Sequence, residues 1–163
     1  IIGASNQRLG KLDKAIEAYN KALSIKPDYA KAYNNMGNAL KEQGKPEEAI
    51  KSFNQALKIK PDYGDAHYNM GVTLQGQGKL GKAIEAYKKA TDSKPNYAEA
   101  YNNMGIALKE KGKLGEAIEA YKKATDTKPN YAEAYNNIGN ILTDQERPEE
   151  AIEAYKKAIN IKP

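Results

Sequence analysis

The sequence predicts an all-α protein, an α-solenoid of antiparallel helix hairpins, and three observations carry that prediction. Proline recurs at Pro27, Pro61, Pro95, Pro129 and Pro163, each 34 residues from the last, and a fixed period of that length marks stacked structural repeats. Between prolines, apolar residues return at helical spacing in two stripes parted by a Gly-containing break. The 163 residues include twelve Tyr but only three Met, one Phe and no Trp, a composition suited to thin, closely packed layers and unsuited to one thick core.

The unit Ala98–Tyr131 shows the pattern. Tyr101, Met104, Gly105 and Leu108 form the first stripe, Gly112-Lys113 interrupts it, and Ala117, Tyr121, Ala124 and Thr125 form the second. Equivalent stripes run through 30–63 (Tyr33, Met36, Gly37, Leu40; Ala49, Phe53, Ala56), 64–97 (His67, Met70, Gly71, Leu74; Ala83, Tyr87, Ala90) and 132–163 (Tyr135, Ile138, Gly139, Leu142; Ala151, Tyr155, Ala158). Residues 1–29 make a partial unit in which Ile2 and Gly3 take the aliphatic and glycine places and Asn6 departs from the expected Leu. The whole chain, 1–163, is thus expected to be a single array. Small residues at fixed places let backbones approach, and aromatics fill the gaps between layers. Gly78–Gly105 and Gly112–Gly139 differ only at Lys82/Glu116, Ser93/Thr127 and Met104/Ile138, which suggests recent duplication.

Each proline follows a lysine and, except at the end, precedes Asp or Asn and then Tyr. This reads as a helix closed by a cation, a break, and an Asn or Asp cap on the next helix. Asn96 with Glu99 and Asn130 with Glu133 have capping-box spacing. Pro46 and Pro148, followed by paired acids, read as first helical residues.

The chain offers little for chemistry. Without Cys there is no disulfide framework, thiolate metal site or Cys nucleophile, which points to the cytoplasm and also suits a periplasmic protein whose signal lies outside this chain. No apolar run has the length of a membrane span. The net charge is +5, yet 26 basic residues interleave with 21 acidic ones, so no basic stripe marks a nucleic-acid partner. Gly76-Gln77-Gly78-Lys79-Leu80-Gly81 matches a dinucleotide fingerprint formally, but that loop binds pyrophosphate only between a strand and a helix, whereas here a helix precedes it. His67, the one histidine, stands where other units carry Tyr and reads as a packing substitution. The pairs Lys88-Lys89, Lys122-Lys123 and Lys156-Lys157 read as a solvated face. No nucleophile, base and orienting group assemble, no cofactor is implied, and a non-enzyme is expected.

Asparagine is the exception. Asn35, Asn69, Asn103 and Asn137 hold one place in four first helices, and Asn34, Asn102 and Asn136 precede three of them. Asn inside a helix costs roughly 0.5 kcal/mol relative to Ala, so its repetition needs a reason. An amide offers both a donor and an acceptor, as an extended peptide backbone does. The other reading is that these amides bond neighbouring helices. Together with Asn38, Tyr68 and Asn140, they make the candidate peptide groove.

The 34-residue pattern of aromatic, aliphatic, Gly, Leu, then Ala, aromatic, Ala and Pro resembles the tetratricopeptide repeat family. That resemblance implies a right-handed superhelix whose concave groove is lined by first helices, with a protein or peptide as partner. The asparagine ladder is similar to that in the repeat region of O-linked N-acetylglucosamine transferases, where it holds substrate polypeptides. A carboxylate clamp of chaperone-binding members needs lysines at set places, and here Asn34, Tyr68, Asn102, Asn136, Asp65, Glu99 and Glu133 stand there instead.

The expected function is therefore a non-catalytic scaffold that binds an extended polypeptide. Two alternatives remain open. The chain could be the recognition segment of a larger enzyme such as a glycosyltransferase, since it starts inside a repeat without Met and stops at Pro163. It could also associate head to tail, through Ile1-Ile2 at one end and the stripe Ala151, Tyr155, Ala158, Ile159 at the other.

Overall fold

The computed structural model describes residues 11–162, and among them every regular element is an α-helix. These are α1 (Leu12–Ile25), α2 (Ala30–Glu42), α3 (Pro46–Ile59), α4 (Gly64–Gly76), α5 (Leu80–Ser93), α6 (Ala98–Glu110), α7 (Leu114–Thr127), α8 (Ala132–Asp144) and α9 (Pro148–Ile161). The partners expected of α1 at Ile1, Ile2, Gly3 and Asn6, and the final Pro163, lie outside the described residues. The chain divides into two compact units, Ile1–Ser93 and Lys94–Pro163. In the first, α2/α3 and α4/α5 are hairpins and α1 packs on α2; in the second, α6/α7 and α8/α9 are hairpins.

The helix breaks follow from their residues. After α2, Gly44 adopts φ 74°, its N–H bonds Lys41 O at 2.9 Å, and Lys45 N–H bonds Leu40 O at 2.9 Å. This is a Schellman closure, which needs a left-handed residue that glycine supplies without a Cβ penalty. Gly78 (φ 70°) and Gly112 (φ 75°) repeat it, so the formal dinucleotide fingerprint is a turn between two helices. At the fourth such turn the left-handed residue is Glu146, at φ 57°. Pro46 and Pro148 open α3 and α9, as expected of proline at a first helical position.

One expectation needs correction. Asp28, Asp62, Asn96 and Asn130 do not cap the helices that follow, and the capping-box pairs do not form. The N-caps are Tyr29, Tyr63, Tyr97 and Tyr131, and none makes a side-chain cap bond. The reason is a turn one residue longer than anticipated. Lys60 O accepts from Tyr63 N–H at 3.1 Å, which makes Pro61 and Asp62 the central residues of a β-turn, where proline is favoured at the first central place. Tyr131 repeats this bond to Lys128 at 3.0 Å. The lysine that ends each helix then folds back over the tyrosine ring: Lys60 Nζ lies 5.4 Å from the Tyr63 centroid, and Lys128 Nζ lies 4.8 Å from that of Tyr131.

Each hairpin is held by an aromatic of its second helix seated on a glycine of its first. A Cβ on Gly37 would stand 2.5 Å from the Phe53 ring, and one on Gly71, Gly105 or Gly139 would meet Tyr87, Tyr121 or Tyr155 equally closely. Phe53, Tyr87 and Tyr121 are fully buried. Glycine therefore admits a ring, where the sequence suggested only an approach of two backbones. Alanines at 15, 49, 83 and 117 complete the layers with no exposed surface. In the last hairpin, of the stripe Ala151, Tyr155, Ala158 and Ile159, Ala151 and Ala158 are buried, Tyr155 is half-buried and Ile159 is 60% exposed; Ile152, outside that stripe, is 52% exposed.

Candidate functional site

The first helices α2 and α4, and in the other unit α6 and α8, use their Tyr/Met/Gly/Leu faces for hairpin packing. The asparagines occupy another face of the same helices. Asn34 and Asn102 are buried, at 5% and 1% exposure, while Asn35, Asn38, Asn69, Asn103 and Asn137 are half-buried and Asn136 and Asn140 are exposed. Tyr68, in the place of a first Asn, is half-buried with its ring 6.0 Å from that of Tyr87.

The buried amides join adjacent first helices. Asn69 Nδ2 donates to Asn34 Oδ1 at 3.0 Å, and Asn137 Nδ2 donates to Asn102 Oδ1 at 3.3 Å. Asn34 in turn donates to Asn35 Oδ1 at 3.4 Å, and Asn102 to Glu133 Oε1 at 3.3 Å. Part of the asparagine pattern is thus a hydrogen-bonded seam between repeats. A buried amide without such partners would cost on the order of 1–3 kcal/mol, so the seam fixes the register of the two helices. Each bond uses one N–H of Asn69 or Asn137, and an amide group carries a second N–H and an Oδ1 with two lone pairs.

The tyrosines that cross the glycines extend this polar face, which sequence reasoning missed. Tyr87 Oη donates to Gln75 Oε1 at 2.8 Å, and Tyr155 Oη donates to Asn140 Oδ1 at 2.9 Å, with Thr143 Oγ1 3.3 Å away. The available signal was the fixed spacing of 16 residues between each glycine and its aromatic, since a ring passing over a missing Cβ delivers its hydroxyl to the first helix. Where the hydroxyl is enclosed, its acidity falls: burial, then Glu133 and Glu110, holds the Tyr121 phenol well above the usual range. Burial and Glu42 raise Tyr19 as well, opposed by its hydrogen bond with Asn35.

The acids beside the asparagines are partly committed. Glu99 pairs with Lys128 at 3.3 Å, and Glu133 accepts from Asn102. Lys88, Lys89, Lys122, Lys123, Lys156 and Lys157 are all exposed, as expected of a solvated face. Among the described residues no group of three or more His, Asp or Glu could hold a metal ion, and no helix is long and apolar enough to cross a membrane.

Family models cover the chain nearly end to end. The TPR repeat model matches residues 8–44, 37–78, 76–112 and 107–145, and the tetratricopeptide repeat model matches 132–163. The chain belongs to the tetratricopeptide repeat family. No curated protein matches it. Among solved structures, tetratricopeptide chains similar to this one include MamA, 29% identical, with 99% of this chain and 94% of that one covered at a TM-score of 0.91. YrrB, described as a TPR protein with an unusual peptide-binding site, is 29% identical, with 99% and 83% covered at a TM-score of 0.80. Pseudomonas aeruginosa pilF, 19% identical with 99% and 73% covered at a TM-score of 0.89, shares the fold alone.

Proposed function

We propose that this protein is a polypeptide-binding scaffold, and that the asparagine faces of its first helices contact an extended segment of the partner chiefly through main-chain groups. The observation that carries the reading is the repeated amide whose rotamer is already fixed by a neighbour. Asn69 and Asn137 are held through one N–H each, and their remaining donor and acceptor match the alternating N–H and C=O groups of an extended strand. Pre-ordering of this kind lowers the entropic cost of binding. The likeness to YrrB supports the reading, since a peptide site is described for that protein. With Glu99 and Glu133 already engaged, the face selects weakly by charge.

The test uses ten-residue peptides selected against the full chain from a randomised library. Replacing Asn38, Asn136 and Asn140 by Ala removes half-buried or exposed amides, and with Asn140 the acceptor of Tyr155 Oη, while leaving the Asn34–Asn69 and Asn102–Asn137 bonds in place. At about 0.5–1.5 kcal/mol per hydrogen bond, the triple variant is expected to raise Kd by roughly tenfold or more with helicity intact. N-methylation of the peptide backbone should weaken binding further. Unchanged affinity on both counts removes the asparagine face from the mechanism.

A further inference from the structure

A second recess lies in the unit Ile1–Ser93, separate from the asparagine face and independent of the reading above. It is a groove of about 960 Å³ bounded by α3, the Pro61-Asp62 turn, α4 and α5. Leu57 and Met70, both half-buried, supply apolar lining, and the exposed Lys51 and Lys58 stand on its α3 side. His67 Nε2 lies 2.9 Å from Pro61 O and its Nδ1 is enclosed, so neither ring nitrogen is offered to a ligand. On the α5 side Lys89 and Asp92 offset one another in charge, and Asp62 lies on the turn.

The charges on α3 reverse those of the other second helices. At four corresponding places α5 carries Glu85, Lys88, Lys89 and Asp92, and α7 carries Glu119, Lys122, Lys123 and Asp126, where α3 carries Lys51, Asn54, Gln55 and Lys58. In α1 and α9 the acid at the first of these places is engaged within its own helix: Glu17 pairs with Lys21 at 2.7 Å and Glu153 with Lys157 at 3.5 Å. Lys51 and Gln55 cannot form that pair. Glu47, one turn before Lys51, accepts from Gln77 Nε2 at 2.7 Å, and among the described residues no carboxylate pairs with Lys51 or Lys58. The α3 side therefore presents two uncommitted ammonium groups beside an apolar surface. Their seven-residue spacing, two helical turns, puts both on one face about 10 Å apart along the axis.

We propose that this groove binds an extended acidic segment of a partner polypeptide, with an apolar side chain of the segment on Leu57 and Met70 and a carboxylate on either side of it meeting Lys51 and Lys58. Alternate residues of a strand share one face, so acids two places before and two places after the apolar residue stand about 13 Å apart. Flexible lysine stems span the difference from the helical spacing. Exposed ion pairs are individually weak, so the apolar contact supplies most of the affinity and the two lysines select the partner.

The experiment titrates the full chain, at low salt, with acetyl-Ser-Glu-Ser-Leu-Ser-Glu-Ser-amide and follows the methionine methyl signals. A saturable shift is expected at Met70, with Met104 unmoved. Replacing both Glu of the peptide by Gln should weaken binding about fivefold, and placing both directly beside the Leu, which turns them to the opposite face at equal charge, about threefold. Replacing the Leu by Ser should weaken it about tenfold. Lys51→Glu with Lys58→Asp, which installs the residues of α5 and α7 at those places, should abolish the Met70 shift with helicity unchanged by circular dichroism. No saturable Met70 shift, equal affinity for the Gln or the Ser peptide, or binding that survives the double substitution overturns the proposal. So does a short single-stranded DNA that shifts Met70 with equal or greater affinity, since a phosphate backbone would then be the better occupant. The triple asparagine variant should bind the acidic peptide normally, which separates failure here from failure of the asparagine face.

Discussion

Glycine and histidine show how single residues set this architecture. Gly105 admits the buried Tyr121 ring, and a Cβ there would stand 2.6 Å from it. Gly105→Ala is therefore expected to destabilise the protein by about 1–3 kcal/mol, the usual cost of overpacking, as read from urea unfolding. A loss below a few tenths would show that the ring can move aside. His67 offers a second prediction. Burial, reinforced by Lys89 and opposed by the Pro61 bond, holds its pKa below the ordinary value of 6.5. The unfolded chain then binds a proton that the folded chain resists, so stability is full above about pH 6.5 and declines as pH falls below it. The urea midpoint should drop between pH 7.5 and 5.5, and this component of the drop should vanish in His67→Phe. The residue scale was only partly legible in the sequence. The glycine stripe stood out, but its purpose needed the partner ring in view. The asparagines stood out too, yet helical periodicity gives only the face of one helix. It carries no information on the register of the next, which is what buries Asn34 and Asn102 and leaves Asn136 and Asn140 exposed.

At the scale of elements, most boundaries were readable because backbone chemistry sets them. Proline opened α3 and α9, glycine closed α2, α4 and α6, and the 34-residue period located each hairpin. The Lys-Pro-Asp/Asn-Tyr segments were misread by one residue, since the capping preference of Asp and Asn competes with their preference for turn centres and the proline decided it. Glu146 tests this logic directly. It holds the left-handed place that Gly44, Gly78 and Gly112 hold elsewhere, and a side chain there costs roughly 1–2 kcal/mol relative to glycine. Glycine also gains more entropy on unfolding, which offsets part of the benefit. Glu146→Gly is expected to raise stability by about 0.5–1 kcal/mol and to sharpen the end of α8, read from thermal melts and from the exchange of the Arg147 N–H bonded to Leu142 O. A melting temperature that falls would mean that Glu146 makes compensating contacts of greater worth.

Each unit is built from contacts between neighbours in sequence. Within a unit every described helix packs chiefly on the helices next to it in the chain, and α2 also reaches α4 through the asparagine seam. Within the unit Lys94–Pro163, Tyr121 and Ile141 are fully buried, whereas the outer side of α9 exposes Ile152 and Ile159. Stability built this way is a sum over repeats and their interfaces, so it is expected to be graded along the chain. Native-state hydrogen exchange should find the amides of α7 protected most strongly in this unit and those of α9 opening first. Urea unfolding followed by circular dichroism should give an m-value below that expected for a cooperative transition of 163 residues. The same grading bears on function. A face assembled from several first helices loses contacts one repeat at a time, so a bound peptide spanning α6 and α8 should slow exchange in α9 together with α8. Protection confined to α8 alone would mean that the hairpin is not the unit that responds to binding.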